Sequence, residues 1–402
     1  MKKRVHKKRW AAGLMLMLAA ALTGCSSLAG PTESSAPISA PVESPSAEAS
    51  SAPVSTPEPS VAETETRLSL VAIGDVLIHS SVWKDAKLAE GGYDFKPMLK
   101  TVKEKLENAD ITFANSESII GGESLGLSSY PAFNSPHEVG DALKDAGVDV
   151  VSMANNHTLD FREKAILQAA DYWEKLGIPF AGANRNAEER TKIRIVERDG
   201  VKVAFLAYTY GTNGIPIPQG KDYLVNLLDR DQLTADIRQA KQEADVVVVS
   251  MHWGIEYAQT PNEEQRQWAQ LAADEGADVI LGHHPHVLQP VEWVEGKDGH
   301  RTLVFYSLGN FLAAQEQTNP PYRQIGAIAR MELCVKRSSA GTEVTVEQPS
   351  MLPTYIQFRN WKGYRVVPLS QASTEILPNK SRYEQEMKKL LTSLMPELTV
   401  EE

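Results

Sequence analysis

Between residues 68 and 311 short apolar runs are each closed by a polar cluster, and amphipathic stretches fill several of the gaps. Leu68-Ser69-Leu70-Val71-Ala72-Ile73 ends in Gly74-Asp75. Residues 109–114 end in Asn115-Ser116-Glu117, and residues 148–153 in Ala154-Asn155-Asn156-His157 with Asp160 three further on. Residues 246–250 lead to Met251-His252-Trp253-Gly254-Ile255-Glu256-Tyr257, residues 277–281 to Gly282-His283-His284-Pro285-His286, and residues 302–305 to Tyr306-Ser307-Leu308-Gly309-Asn310. Runs this short, bounded by turn residues, read as buried strands, whereas Lys164–Leu176 and Glu263–Glu275 carry the helical period. Strands alternating with helices predict an α/β fold, in which ligands gather at the carboxyl ends of the strands. Each polar cluster sits at such an end.

Elsewhere the pattern is thinner. Residues 201–207 read as another strand, and the Gly- and Asn-containing loop Tyr208–Gly214 after it is either a groove-lining segment at the same rim or an ordinary turn. Ala327–Val335 and Val344–Pro353 read as strands, whereas residues 357–365 show no clear period. Tyr383–Leu394 predicts a terminal amphipathic helix with Met387, Leu390, Leu391 and Leu394 on the face that packs against the domain. Residues 67–315 are therefore expected to form the main domain and residues 316–402 a C-terminal extension of it.

The first 66 residues have a different character. Six basic residues within the first nine precede an apolar run from Trp10 to about Leu22, too short for a comfortable bilayer span and suited to a signal sequence. Leu22-Thr23-Gly24-Cys25 resembles the lipobox of bacterial lipoproteins. Residues 1–24 are thus expected to be a signal peptide and Cys25 a lipidated anchor to the bacterial cell membrane, with the body outside the cytoplasm. Residues 25–66 are rich in Pro, Ser, Ala and Glu and poor in branched apolar residues, the composition of a disordered tether. The second cysteine, Cys334, has no partner and reads as a small core residue.

The net charge of −11 becomes −17 once the six basic residues of the leader are removed, which argues against a nucleic-acid partner. An anionic polymer as ligand would need local positive charge at the rim, and a bound metal is the natural source. Three of the nine histidines fall in one strand-end turn. Neutral imidazole is the commonest transition-metal ligand, and if Pro285 keeps the turn extended, His284 and His286 project to one side. Together Asp75, Glu117, Asn156, His252, His284 and His286 would form a carboxylate, amide and imidazole set with no thiolate. Such a set suits one or two divalent ions of Mn, Fe, Zn or Mg. Taken singly, each residue also has a local account: Asp75 as a helix cap, Asn155, Asn156 and Asp160 as a turn network, and His252 with Glu256 as a surface pair. Trp253 and Tyr257 read first as buried aromatic packing.

In order, the motifs Gly74-Asp75-Val76, Asn115-x-Glu117, Ala154-Asn155-Asn156-His157 with Asp160, His252-Trp253-Gly254-x-Glu256-Tyr257, Gly282-His283-His284-Pro285-His286-Val287-x-Gln289 and Tyr306-Ser307-Leu308-Gly309-Asn310-Phe311 resemble the bacterial capsule synthesis protein CapA family. That family is associated with poly-γ-glutamate capsules and is similar to the calcineurin-like metallophosphatases. The resemblance implies a four-layer α/β/β/α sandwich with the metal site at the sheet edge. It implies that His157, with Asp160, acts catalytically as the acid for a leaving group, and that Asn115, Asn155, Glu256, Tyr257 and Asn310 line the substrate site. Where the phosphatases carry Asp-x-His, this chain has Asp75-Val76-Leu77 with His79 two residues later, and Glu117 stands where they carry a bridging Asp. The implied function is a lipid-anchored, metallohydrolase-like protein in synthesis, anchoring or trimming of an anionic envelope polymer, with membrane capsule-synthesis subunits as partners. The alternative is a non-catalytic polymer-binding or transport subunit of such a complex.

Overall fold

The computed structural model describes residues 63–315, 319–339 and 341–402. The expected signal peptide, Cys25 and nearly all of the expected tether lie outside these residues. Among the described residues no helix is long and apolar enough to cross a membrane.

In chain order the strands are β1 (Thr64–Leu77), β2 (Ile111–Asn115), β3 (Val150–Ser152), β4 (Phe180–Ala181), β5 (Arg194–Arg198), β6 (Val201–Thr209), β7 (Val246–His252) and β8 (Val279–His283). They continue with β9 (Val291–Glu295), β10 (Arg301–Phe305), β11 (Asn310–Ala313), β12 (Ile325–Ser338), β13 (Gly341–Arg359), β14 (Lys362–Pro368) and β15 (Thr399–Val400). One sheet runs β14-β13-β12-β1-β2-β3-β4, with β11 added along β1 and β15 along β13; the other runs β5-β6-β7-β8-β10-β9. Strands β1 to β4 are mutually parallel, as are β6, β7, β8 and β10. The crossovers between them are largely helical, which is how parallel neighbours are joined.

The period-2 pattern of β1 explains the layering. Leu68, Leu70 and Ala72 point to the space between the sheets, where they meet Val203, Phe205, Val248, Leu281 and Phe305. Val71 and Ile73 point the other way, onto Ile166, Ala169 and Trp173 of the helix Arg162–Leu176. The outer face of the second sheet, through Ala204, Val247, Val249 and Ile280, is covered by Leu233 and Ile237 of one helix and Ala269 and Ala272 of another. Helix, sheet, sheet and helix thus make the four-layer sandwich. Phe113 of β2 and Phe205 of β6 stack across its centre at 5.9 Å. Truncating either ring to alanine should cost about 3–5 kcal/mol.

One gap in the pattern is explained and one expectation needs correcting. Residues 357–365 lack a period because the chain reverses there: Arg359 pairs with Lys362, and Asn360 and Trp361 both take left-handed backbone (φ 52° and 61°), a two-residue hairpin turn. The terminal helix is Lys380–Leu391, so it starts and stops three residues before the predicted bounds and leaves Leu394 38% exposed. Its Tyr383, Met387 and Leu391 pack into the inter-sheet core, and Cys334 is a free, buried thiol.

Candidate metal centre

The carboxyl ends of β1, β2, β7 and β8 bring Asp75, Glu117, His252 and the histidine turn to one edge of the sandwich. Gly282 makes this approach possible, since a Cβ there would lie 2.1 Å from the carbonyl oxygen of Tyr306. The turn that follows is not extended, contrary to the expectation placed on Pro285. His284 (φ 94°) and His286 (φ 58°) both occupy left-handed backbone, a conformation costing about 1–3 kcal/mol per non-glycine residue that surrounding structure must hold in place. Bonds from Leu308 N–H to Gly282 O (3.1 Å) and from Tyr257 N–H to Pro285 O (2.7 Å) do so. The rings of His284 and His286 end 5.8 Å apart.

All six residues expected as ligands are buried side by side. Among the described residues Glu117, His284 and His286 form the one group of three ligand side chains whose ligand atoms all lie within 4.8 Å of one another. His252 flanks it, with Nε2 2.9 Å from Asn156 Oδ1 and 3.5 Å from Glu117 Oε1. Asp75 stands on the other side, its Oδ2 3.0 Å from His286 Nδ1 and its Oδ1 3.3 Å from His283 Nδ1, while Asn115 Nδ2 donates to Oδ1 at 2.9 Å. His286 Nδ1 is also 3.0 Å from Asn310 Oδ1, so that nitrogen is occupied and Nε2 faces Glu117 at 3.6 Å.

Both carboxylate oxygens of Glu117 are fully buried with no hydrogen-bond donor, and His252 Nδ1 and His284 Nδ1 are likewise unpartnered. An ionised carboxylate left bare in a protein interior is costly unless a cation answers it. One carboxylate and two imidazoles is a donor set that a borderline divalent ion accepts, so the residues fit a metal. Burial pushes the Glu117 carboxyl well above the usual range. On Asp75 burial acts the same way, but contacts with His283 and His286 outweigh it and hold the carboxyl well below. Burial also opposes charge on His286, yet Glu117 and Asp75 overrule it and raise the imidazole to about 9. Glu117 and His286 thus both hold a proton more tightly than usual, beside an Asp75 that is held in its charged form. Burial lowers His284 to about 3 and His252 well below the ordinary histidine value, leaving both neutral, the ligating form.

Beside this cluster a cavity of about 330 Å³ opens to solvent, lined by His157, His286, Glu256, Tyr257, Arg323 and Phe133 among others. His157 Nδ1 lies 2.7 Å from Asp160 Oδ2, which also accepts the Phe133 N–H at 2.6 Å. Asp160 therefore positions His157 rather than meeting a substrate itself. Of the five residues expected to line a substrate site, Glu256 and Tyr257 line this cavity, and Tyr257 is 39% exposed rather than buried like Trp253. Asn115, Asn155 and Asn310 are buried scaffold instead: Asn115 holds Asp75, Asn155 bonds Ser116 O and the His157 N–H, and Asn310 holds His286. Short amides at strand ends satisfy local donors and acceptors before they can reach solvent. His252 and Glu256 are no surface pair, since His252 is fully buried.

His79 does not take the place of the missing strand-end histidine. Its Nδ1 lies 2.9 Å from Leu77 O and 3.2 Å from the Ala314 N–H, and burial lowers it to about 4. The Tyr208–Gly214 loop does reach the rim: Tyr210 packs 4.7 Å from His284, and Asn213 Oδ1 accepts from Asn156 Nδ2 at 3.2 Å. Sequence reasoning missed Asn213 and Arg323. Asn213 sat in a loop whose Gly and Asn content was the only signal, and Arg323 lay in a segment without a pattern.

The sequence profile of the bacterial capsule synthesis protein family PGA_cap matches residues 69–315. Over 184 residues the chain is 37% identical to the PGA biosynthesis protein CapA of Bacillus subtilis (strain 168), covering 44% of this chain and 45% of that one. Over 266 residues it is 30% identical to the capsule biosynthesis protein CapA of Bacillus anthracis, covering 63% and 61%. The match thus spans about half to three fifths of the length of these relatives. Among solved structures, the NAD nucleotidase of Haemophilus influenzae aligns with a TM-score of 0.43 at 14% identity, covering 84% of this chain and 57% of that one.

Proposed function

This chain belongs to the bacterial capsule synthesis protein family, and on that premise we propose that it is a metal-dependent hydrolase acting on an anionic cell-surface polymer of the poly-γ-glutamate kind, during its synthesis, anchoring or trimming. The names of the two Bacillus relatives support the polymer assignment. The lipobox supports anchoring through Cys25 on the outer side of the bacterial membrane, where capsule-synthesis subunits would be its partners. The observation that carries the reading is Glu117, buried among His252, His284 and His286 with both oxygens unanswered and a substrate-sized cavity alongside.

Glu117, His284 and His286 would hold one divalent ion, with His252, Asn156 and Asp75 placed to complete its surroundings or hold a second. Such an ion, when bound, polarises a carbonyl or phosphoryl oxygen and makes water a nucleophile near neutral pH. The chain's own residues do the rest. Asp160 engages Nδ1 of His157, so Nε2 is the nitrogen left to exchange a proton with the substrate. Phe133 packs edge-on against His157 at 4.7 Å and keeps water off that face of the ring. Cleavage of an amide consumes one water per bond: its hydroxyl goes to the acyl carbon and its other hydrogen, through His157, to the departing nitrogen.

The test is turnover of γ-glutamyl oligomer and of a phosphomonoester by metal-loaded and chelator-stripped protein. Metal-dependent turnover that falls on the order of 10²- to 10⁴-fold in His157→Asn, with metal content unchanged, is expected. One observation favours the second reading, a non-catalytic polymer-binding subunit: Asp75 is engaged by Asn115, His283 and His286 rather than gathered with the three-ligand group. Metal-loaded protein that binds oligomer but turns over neither substrate would select it.

A further inference from the structure

Arg323 lies beyond the residues that the family profile matches, yet its side chain lines the same cavity as His157 and His286. Its guanidinium carbon sits 3.7 Å over the ring of Tyr257. Among the described residues no carboxylate is within ion-pair distance of it. A guanidinium in such close cation–π contact is cheaper to desolvate, and its N–H groups suit a planar, two-oxygen acceptor. The residue is also tied to the metal cluster. Asn310 Nδ2 donates to the Arg323 carbonyl at 2.8 Å, and Asn310 Oδ1 is 3.0 Å from His286 Nδ1. The second charged group on the open part of this wall is Glu256, of opposite sign.

We infer that Arg323 is the specificity-determining residue of the site, taking the carboxylate of a substrate that is a carboxylate-bearing amide rather than a phosphate monoester. The inference rests on the proposed reading of this cavity as the substrate site and names the substrate class for it. The Arg323 edge pairs with a carboxylate in fork geometry. Glu256 accepts an amide N–H from the neighbouring residue of the same chain, whereas a phosphate monoester has no N–H to give it and brings two negative charges to this wall where a carboxylate brings one. Tyr257 and Tyr130, 39% and 79% exposed, offer apolar surface to the methylene stem between carboxylate and amide. A chain repeating one carboxylate and one amide per residue presents those groups together.

The experiment uses tri-γ-glutamate and phenyl phosphate with wild-type protein and R323Q. Metal content and melting temperature serve as controls for R323Q and should match wild type. Calorimetric titration of tri-γ-glutamate, which needs no turnover, should show at least tenfold weaker binding to R323Q. If the protein is a hydrolase, KM for the γ-glutamyl oligomer should rise by the same factor with kcat within about twofold, and phenyl phosphate hydrolysis should hardly change. Arg323-dependent binding without turnover upholds the inference while the hydrolase reading fails. Equal binding by both proteins, no binding by wild type, or an equal loss on phenyl phosphate overturns it, even if metal-dependent turnover is intact.

Discussion

At the amino ends of β2, β3, β7 and β8 an aspartate immediately precedes each strand, and each is answered by its neighbours. Asp110 accepts from Ser69 N–H and Oγ at 2.7 Å, and Asp149 from Thr112 N–H at 2.9 Å and from Arg198 at 2.7 Å. Asp245 accepts from Lys202 N–H at 2.8 Å and pairs with Arg337. Asp278 accepts from Val247 N–H at 2.7 Å with Lys241 Nζ 3.6 Å away. At the carboxyl ends of the same strands Glu117 is more deeply buried and has no donor at all. The same kind of group is therefore used in two ways. Acids at the amino end close the open edge of the neighbouring strand, which is structure; the acid at the carboxyl end has no hydrogen-bond donor and stands among imidazoles, an arrangement that a bound cation would complete.

The contrast can be broken most directly at Glu117. In Glu117→Gln metal affinity should fall about a hundredfold or more, measured by metal content after dialysis, while the melting temperature of the metal-free protein stays level or rises because an uncompensated buried acid has gone. A large loss of metal-free stability would mean that Glu117 is a structural acid like the aspartates.

The pH dependence sharpens the same point. His286, raised to about 9 in the metal-free protein, holds a proton that a metal must displace. Metal affinity should accordingly rise with pH, by up to about tenfold per unit, until it levels near pH 9. Stability of the metal-free protein has the opposite sign. A histidine raised above its unfolded value near 6.5 contributes stability fully below that pH and loses it as pH climbs through 9. A buried Glu117 with a raised pKa acts in the same direction. Melting scans with and without metal between pH 6 and 9 should diverge; parallel curves would count against a raised His286 in the metal-free protein.

The smallest effect lies at the other end of the strands. Asp278→Ala leaves the Val247 N–H unanswered and should cost about 1–3 kcal/mol in stability, with metal content unchanged. Metal loss in this variant would show that the two ends are not independent.

Much of this was legible in the sequence because it is local. Period 2 in Leu68-Ser69-Leu70, the apolar run of β7 and the three histidines after β8 each depend on neighbours within a few positions, so strands, layers and the six clustered side chains followed from spacing and from family resemblance. What was not legible depends on long-range contact. The left-handed turn at His284 and His286 is held by Leu308 and Tyr257, and the turn in sequence looks merely proline-stiffened. Asn115, Asn155 and Asn310 read as substrate contacts because amides at strand ends look alike, but whether they face solvent or Asp75, Ser116 and His286 is set by packing.

By itself, then, the sequence determined which strands exist, which face of each is apolar, and which chemistry stands at their ends, since these follow from side-chain alternation and hydrophobic burial. Only the tertiary structure decided that Asp75 is spent on His283 and His286, that Glu117 goes unanswered, and that Arg323 reaches the cavity on the ring of Tyr257. Those outcomes depend on distances between residues up to 211 positions apart, as for Asp75 and His286, which no local pattern encodes.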